Sequence, residues 1–139
     1  MLARVPYSAF HSMNVERKRA DTIRRACAHA SRLDALIGCD RPAVTARLTA
    51  VVGVGAWSAA EVALVALGDA DAVSVGDYHL PHHLCFALAG DRRGSDERML
   101  ELLEPFRGHR GRVLRLVTNA GIAPPRRGPR MAPNRIWDR

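Results

Sequence analysis

Residues 48–59 read LTAVVGVGAWSA, and this stretch decides the fold of the 139-residue chain. Apolar residues at helical spacing lead up to it, and a second helix is predicted from about Trp57 to Leu67. Gly53 and Gly55 lie between the two helices, where glycine permits a tight reversal with positive φ. The stretch therefore predicts a hairpin between two helices, although an ordinary turn between helices would show the same two glycines.

The start of the second helix is a candidate phosphate-binding site. The first N–H groups of a helix have no acceptor within it, and glycines keep side chains out of the way. Such an N-terminus binds a phosphate oxygen through its backbone, so it reads no base sequence. The residues assigned to this contact are Gly53, Val54, Gly55, Ala56 and Ser58.

Apolar periodicity predicts further helices on both sides of the hairpin. One runs from a cap at Asn14 to about Ser31, and others begin near Leu80, at Ser95 and near Gly108. We find no convincing pair of strands in the pattern. The fold class is therefore predicted to be all-α, a helical bundle that contains a helix-hairpin-helix motif.

Composition and charge set the wider limits. Hydrophobic residues make up 47% of the chain, which is enough for a packed core. Residues 1–121 are predicted to form one helical domain, and residues 122–139 an extended tail rich in proline and arginine. The net charge of +7 favours a polyanionic partner, with nucleic acid as the first candidate. An arginine content that only reflects a GC-rich genome is the alternative.

Cysteine usage and hydropathy indicate the compartment. Cys27, Cys39 and Cys85 are odd in number and far apart, a pattern that argues against disulfides and against zinc or iron–sulfur sites. The N-terminus lacks the apolar core of a signal peptide, and no apolar run reaches membrane-spanning length. We therefore expect a soluble cytoplasmic protein that has no cofactor and no membrane partner.

Three histidines, His79, His82 and His83, form a short cluster. On a helix they would lie on neighbouring faces, so a metal site is conceivable. No carboxylate or cysteine completes a ligand set in the nearby sequence. A cluster that faces solvent or DNA is the simpler interpretation.

The hairpin pattern resembles the signature of the helix-hairpin-helix DNA glycosylase superfamily. The resemblance continues through residues 73–78, VSVGDY, where that family places its catalytic aspartate. Residues 11–20 and 104–111 are similar to the alkylbase (DNA-3-methyladenine) glycosylase branch, and residues 125–130 resemble its actinobacterial members. The chain corresponds to the C-terminal portion of that branch, which implies a bacterial, nucleoid-associated protein of base-excision DNA repair.

The resemblance implies an enzyme that hydrolyses the N-glycosidic bond of alkylated, 3-methyladenine-type purines. Asp77 is the candidate catalytic residue, because a carboxylate stabilises the positive charge that develops on the sugar. An aspartate before an apolar helix is otherwise an N-cap, and the two roles can coexist. Related enzymes that also cut the strand have a lysine where this chain has Trp57, so the resemblance implies a monofunctional glycosylase.

The base pocket is assigned to Trp57, Phe106, Tyr78 and Glu61. Aromatic faces suit a cationic alkylated base, although each aromatic residue could instead pack in the core. Glu61 stands where the best-known alkylbase enzymes have an aromatic residue, so it either changes the polarity of the pocket or faces solvent.

The resemblance also implies double-stranded DNA as the partner and a monovalent cation bound by backbone carbonyls near Val52 and Val54. Family members are longer and carry earlier helices before the segment that matches His11. We therefore expect an incomplete version of the glycosylase fold, with self-association or a missing N-terminal half covering exposed apolar surface. The alternatives are a non-catalytic helix-hairpin-helix DNA-binding module and a helical protein-interaction domain.

Overall fold

Eight α-helices and two short 3₁₀ turns account for the regular structure in the computed structural model, which describes residues 2–125. The helices are α1 (Tyr7–His11), α2 (Arg17–Ala28), α3 (Ala30–Asp34), α4 (Arg41–Thr49), α5 (Ala56–Ala66), α6 (Leu80–Ala89), α7 (Asp96–Leu103) and α8 (Arg110–Asn119). The 3₁₀ turns are Leu2–Arg4 and Glu104–Phe106. No β-strand occurs in this part of the chain, which confirms the prediction of an all-α helical bundle.

Two clusters of buried side chains form the core. The first joins α3, α4 and α5, and its buried members are Leu36, Val44, Leu48, Ala59, Ala63 and Ala72. The second joins α6, α7 and α8, and its buried members are Leu84, Cys85, Met99, Leu103 and Leu114. The segment between α5 and α6 connects the two clusters, so its position depends on both.

The helices on either side of the hairpin follow from local sequence. Asp40 caps α4 by accepting a hydrogen bond from the Ala43 N–H at 2.9 Å, and a proline stands in the first turn. Val44 and Leu48, four residues apart, are buried on one side of α4. The helix α5 begins at Ala56, one residue before the predicted start.

Only one of the two hairpin glycines has positive φ. Gly53 has φ of +101°, whereas Gly55 has φ of −96° and ψ of −179°, which is extended backbone. The expectation that both glycines support a positive-φ reversal is therefore wrong for Gly55. A single left-handed residue reverses the chain, and Gly55 then leads in an extended conformation into α5.

The predicted helix from Asn14 to Ser31 is wrong at both ends. Asn14 has φ of +59°, and its N–H donates to the carbonyl of His11, so it belongs to the turn that ends α1. The N-cap of α2 is Glu16, and the helix ends at Ala28 because His29 leaves the helical conformation. The other predicted cap is confirmed, since the Ser95 hydroxyl accepts a hydrogen bond from the Arg98 N–H.

None of the helices found in residues 2–125 is long and apolar enough to cross a membrane. The predicted tail starts at residue 122, and its residues 126–139 lie outside the described residues. The boundary between domain and tail stays a prediction.

Candidate functional site

The hairpin reversal is held from the side by α2. A Cβ atom at Gly53 would lie 2.0 Å from Thr22 Oγ1, so glycine is required there by contact as well as by conformation. One turn further along α2, the Nη1 of Arg25 donates a hydrogen bond to the Val52 carbonyl at 3.3 Å. The reversal is therefore shaped by a third helix, which the two-helix motif in the sequence does not indicate.

The N-terminus of α5 presents backbone donors without a competing side chain. Its N-cap, Gly55, has no side chain that could accept hydrogen bonds from the first turn. The first bond within the helix runs from the Ala59 N–H to the Gly55 carbonyl, so the N–H groups of Ala56 and Ser58 precede this ladder. Val54 is partly buried beneath them and joins the first core cluster. This geometry suits a phosphate oxygen.

The carbonyls of Val52 and Val54 do not fit a shared monovalent cation. The Val52 carbonyl already accepts from the Arg25 guanidinium, which brings a full positive charge to that position. A second cation bound at the same carbonyl would be repelled by that charge. Arg25 thus supplies positive charge beside the hairpin from within the chain.

A cleft of about 640 Å³ opens between α2 and the start of α5. Its lining combines cationic side chains of α2 with hairpin residues and includes Lys18, Arg19, Thr22, Gly53, Trp57 and Ser58. The side chain of Trp57 is 42% exposed, which does not support the interpretation of this residue as core packing. The α2 wall of the cleft therefore carries the Lys18 ammonium and the ion pair of Arg19 with Glu16, and Trp57 presents an aromatic face.

Asp77 lies at the end of the segment between α5 and α6. Its Oδ1 accepts hydrogen bonds from the N–H groups of His79 at 2.7 Å and Leu80 at 2.9 Å, so Asp77 binds the backbone at the start of α6, although the N-cap residue itself is His79. Partial burial raises the pKa of the Asp77 carboxyl, but these two donors, the nearby His79 imidazole and the Trp57 side chain together lower it below its usual range. The carboxylate is therefore ionised at neutral pH, and both backbone bonds go to the same oxygen, Oδ1.

The structure brings Asp77 and Trp57 together. The Trp57 side chain lies close enough to the Asp77 carboxylate to lower its pKa, although Trp57 is in the first turn of α5 and Asp77 follows the loop after that helix. The indole also lines the cleft, so Asp77 lies next to the same region. A carboxylate, an aromatic face and a helix N-terminus thus lie in one neighbourhood.

The other two predicted pocket aromatics have different surroundings. The ring of Tyr78 is 80% exposed and packs edgewise against His79 and His82, with centroids 4.9 and 6.1 Å away. This exposure excludes core packing for Tyr78 and places it on the surface beside the histidines. Phe106 is 40% exposed in the 3₁₀ turn before α8. Neither ring is enclosed in a pocket within the described residues.

Both carboxylate oxygens of Glu61 are occupied by other side chains. Oε1 accepts from the Ser74 hydroxyl at 2.5 Å, and Oε2 accepts from Arg115 Nη2 at 2.9 Å. Ser74 is fully buried. Of the two roles considered for Glu61, facing solvent is thus wrong, because its carboxylate links α5 to α8 and to the loop that leads to Asp77.

Asp71, in the loop between α5 and α6, has an important structural role that the sequence did not reveal. Its Oδ1 accepts from the N–H groups of Gly108 and Arg110, and its Oδ2 accepts from the guanidinium groups of Arg110 and Arg41. The hydrogen bonds from Arg110 outweigh the effect of burial and hold the pKa of Asp71 far below its usual range. No local pattern signals this role, because the donors belong to α4 and to the start of α8.

Some histidines of the cluster make contacts within the protein. The Nδ1 of His82 accepts a hydrogen bond from the Gly94 N–H at 2.9 Å, so that nitrogen faces the protein. His79 and His83 pack against each other at 6.0 Å between ring centroids. Among residues 2–125 no group of three or more His, Cys, Asp or Glu side chains is placed to hold a metal ion.

Comparison with known proteins gives one informative match. No family model and no curated protein matches the chain. A solved structure described as a DNA-3-methyladenine glycosidase from Bacillus halodurans is similar, with a TM-score of 0.68 and 25% sequence identity. The chain has a DNA glycosylase fold. The match covers 86% of this chain and 58% of the Bacillus halodurans chain, so our chain spans less than two thirds of its structural neighbour.

Proposed function

We propose that the chain acts in base-excision DNA repair as a monofunctional glycosylase that hydrolyses the N-glycosidic bond of alkylated, 3-methyladenine-type purines. The observation that carries the proposal is the juxtaposition of the ionised Asp77 carboxylate with the half-exposed Trp57, beside a helix N-terminus free to bind phosphate. The similar glycosylase fold of the Bacillus halodurans protein supports it.

Double-stranded DNA is the partner in this proposal, and the distribution of charge favours it. Within residues 2–125, four cationic side chains near the hairpin form no ion pair with a carboxylate: Lys18, Arg25, Arg32 and Arg47. In contrast, the arginines that hold the core together, such as Arg41 and Arg110, are paired with Asp71. Part of the uncompensated positive charge therefore lies near the candidate phosphate site, where it favours a polyanionic backbone.

The proposed reaction starts with the hairpin holding the backbone while the damaged nucleotide leaves the stack. The exposed face of Trp57 would bind the electron-poor base by cation–π attraction. As the bond between base and sugar lengthens, the Asp77 carboxylate would stabilise the positive charge on the sugar. The electron pair of the broken bond leaves with the base, which becomes neutral, and water forms a new C–O bond at the cationic sugar carbon and releases one proton to solvent. With Trp57 in place of a lysine, no Schiff base forms at that position.

Phe106, Tyr78 and Glu61 enter this proposal in different ways. The exposed rings of Phe106 and Tyr78 are available to contact DNA or a flipped base without a change in the core. Glu61 acts indirectly, through the loop that it holds at Ser74.

The test compares the wild type with Asp77→Asn in a base-release assay on methylated duplex DNA. Asparagine keeps the oxygen that binds the backbone at the start of α6 and removes only the charge, so the fold is expected to persist. We expect the rate to fall by about 100-fold or more. Asp34→Asn, at an exposed carboxylate, is the matched control. Equal rates for wild type and Asp77→Asn would contradict the assignment of Asp77.

The second candidate function is a DNA-binding module without catalysis. It is favoured by the open surroundings of Phe106 and Tyr78 and by the 58% coverage of the neighbour. Salt-dependent binding of duplex DNA without any base release by the wild type would support it.

We also propose that exposed apolar surface of this chain is covered by a second copy or by a further polypeptide segment. An apolar cavity of about 340 Å³ lies between α3, α4 and α5, and Ile37 at its edge is 79% exposed. Apolar surface of this kind favours association. Sedimentation velocity at several concentrations would detect it.

A further inference from the structure

We propose that a groove between α3 and α4 is a second site for DNA backbone phosphates, which extends the contact made by the hairpin. The proposal rests on the proposed binding of duplex DNA. The groove has a volume of about 350 Å³. Its lining combines three basic side chains with an apolar floor and includes His29, Arg32, Arg47, Leu33, Ala50 and Val51.

The groove and the α5 N-terminus lie on the two sides of the same reversal. Ala50 and Val51, which line the groove, connect the end of α4 to Val52 and Gly53. The Val51 carbonyl accepts from the N–H of Val54 at 2.9 Å and so closes the turn between the two sites. The groove therefore adjoins the hairpin through the same short turn, and the proposal places neighbouring phosphates of one duplex at both sites.

The charge of the groove is uncompensated. Neither Arg32 nor Arg47 forms an ion pair with a carboxylate among the described residues. Arg47 lies in the last turn of α4, and its Nη1 is 3.9 Å from the Sγ of Cys39. Asp34, the carboxylate on α3, lines the neighbouring apolar cavity instead. Positive charge thus remains available on the side of α3 that faces Arg47.

Phosphodiester backbone fits this chemistry better than other anions. A guanidinium group presents several N–H donors in one plane, which matches the oxygens of a phosphate. The apolar floor of Leu33, Ala50 and Val51 suits the deoxyribose between two phosphates. Arg25 also brings its charge to the Val52 carbonyl, so positive charge continues from the groove to the hairpin.

The test measures the affinity for a duplex of about 25 base pairs by fluorescence anisotropy across a range of salt concentrations. The double variant Arg32→Ala/Arg47→Ala removes the proposed contacts. Arg92→Ala/Arg93→Ala is the charge-matched control, because these exposed arginines lie between α6 and α7. The slope of log K against log salt is negative, and each lost phosphate contact reduces its absolute value by about 0.9. We therefore expect the absolute slope to fall by about 1.8 for the groove variant only.

Two further measurements separate charge from folding. Arg32→Lys/Arg47→Lys keeps both charges and is expected to retain most of the slope. Hydroxyl-radical footprinting of the wild type is expected to show protection on both sides of the hairpin contact, with one side lost in the alanine variant. A groove variant with the slope and footprint of the wild type would overturn the second site. Absence of salt-dependent binding by the wild type would instead overturn the proposed function itself.

Discussion

The Ser74 hydroxyl donates a hydrogen bond to Oε1 of Glu61 at 2.5 Å and so joins the loop before Asp77 to the middle of α5. The second oxygen of Glu61 accepts from Arg115, which brings α8 into the same network. Further along the loop, the N–H of Gly76 donates to Asp96 Oδ2 at 2.8 Å. Side chains from α5 and α7 therefore hold the loop directly before its candidate catalytic residue.

Replacing Ser74 by alanine is expected to destabilise the fold. The change leaves Glu61 without one hydrogen bond in a partly buried site, and a bond to a charged group contributes about 1.5–3 kcal/mol. The free energy of unfolding, measured by urea denaturation, should fall by about 2 kcal/mol. Ser31→Ala, at an exposed serine of α3, is the control and should change it little. Equal stability of the two variants would show that the Ser74 bond is not a significant contact.

Replacing Asp71 by asparagine is expected to have a larger effect, because Asp71 is only 6% exposed and pairs with two arginines. Removing one partner of a buried ion pair costs about 3–5 kcal/mol, which places the expected loss near 3 kcal/mol since Arg41 is partly exposed. Thermal and urea unfolding at neutral pH would measure it. Asp69→Asn removes a more exposed carboxylate that pairs with only one arginine, Arg41, and also accepts the Asp71 N–H, a bond that asparagine can keep, so it should cost less.

The stability contributed by Asp71 should also depend on pH. Its pKa is lower in the folded protein than the value of about 3.9 in an unfolded chain, so the unfolded state binds more protons in acid. The contribution is present above about pH 4 and is lost as the pH falls toward the lower folded-state pKa. Wild type should therefore lose more stability than Asp71→Asn between about pH 4 and pH 2. Parallel curves for the two proteins would contradict this assignment.

The two hairpin glycines should respond differently to alanine. At Gly53 an added Cβ would collide with Thr22 in a backbone conformation of positive φ, so the fold should lose about 1–3 kcal/mol. At Gly55 the backbone is extended and the space beside it is open, so Gly55→Ala should cost less, about 1 kcal/mol at most, because alanine is only a poorer N-cap than glycine. Chemical denaturation of both variants gives the comparison. A Gly53→Ala protein as stable as Gly55→Ala would show that α2 does not restrict the reversal.

Sequence by itself determined the local structure of this protein. The periodicity of apolar residues predicted the helices around the hairpin, and Ser95 predicted the cap of α7, because these interactions span only a few residues. The prediction of a helix cap failed at Asn14, because asparagine suits a left-handed turn as well as a cap. The glycine-containing hairpin was recognisable for the same reason, since its geometry depends on neighbouring residues.

Only the tertiary structure decided which distant groups meet. Ser74 and Arg115 lie 13 and 54 residues from Glu61, and Arg110 lies 39 residues from Asp71. Hydrophobic periodicity specifies which face of a helix is buried, but it does not specify the polar partner that the face will find. Desolvation makes an unpaired charge costly, so burial selects these ion pairs once the helices pack together. The supports of the Asp77 loop therefore arise from packing between helices, while the hairpin arises from the chain locally.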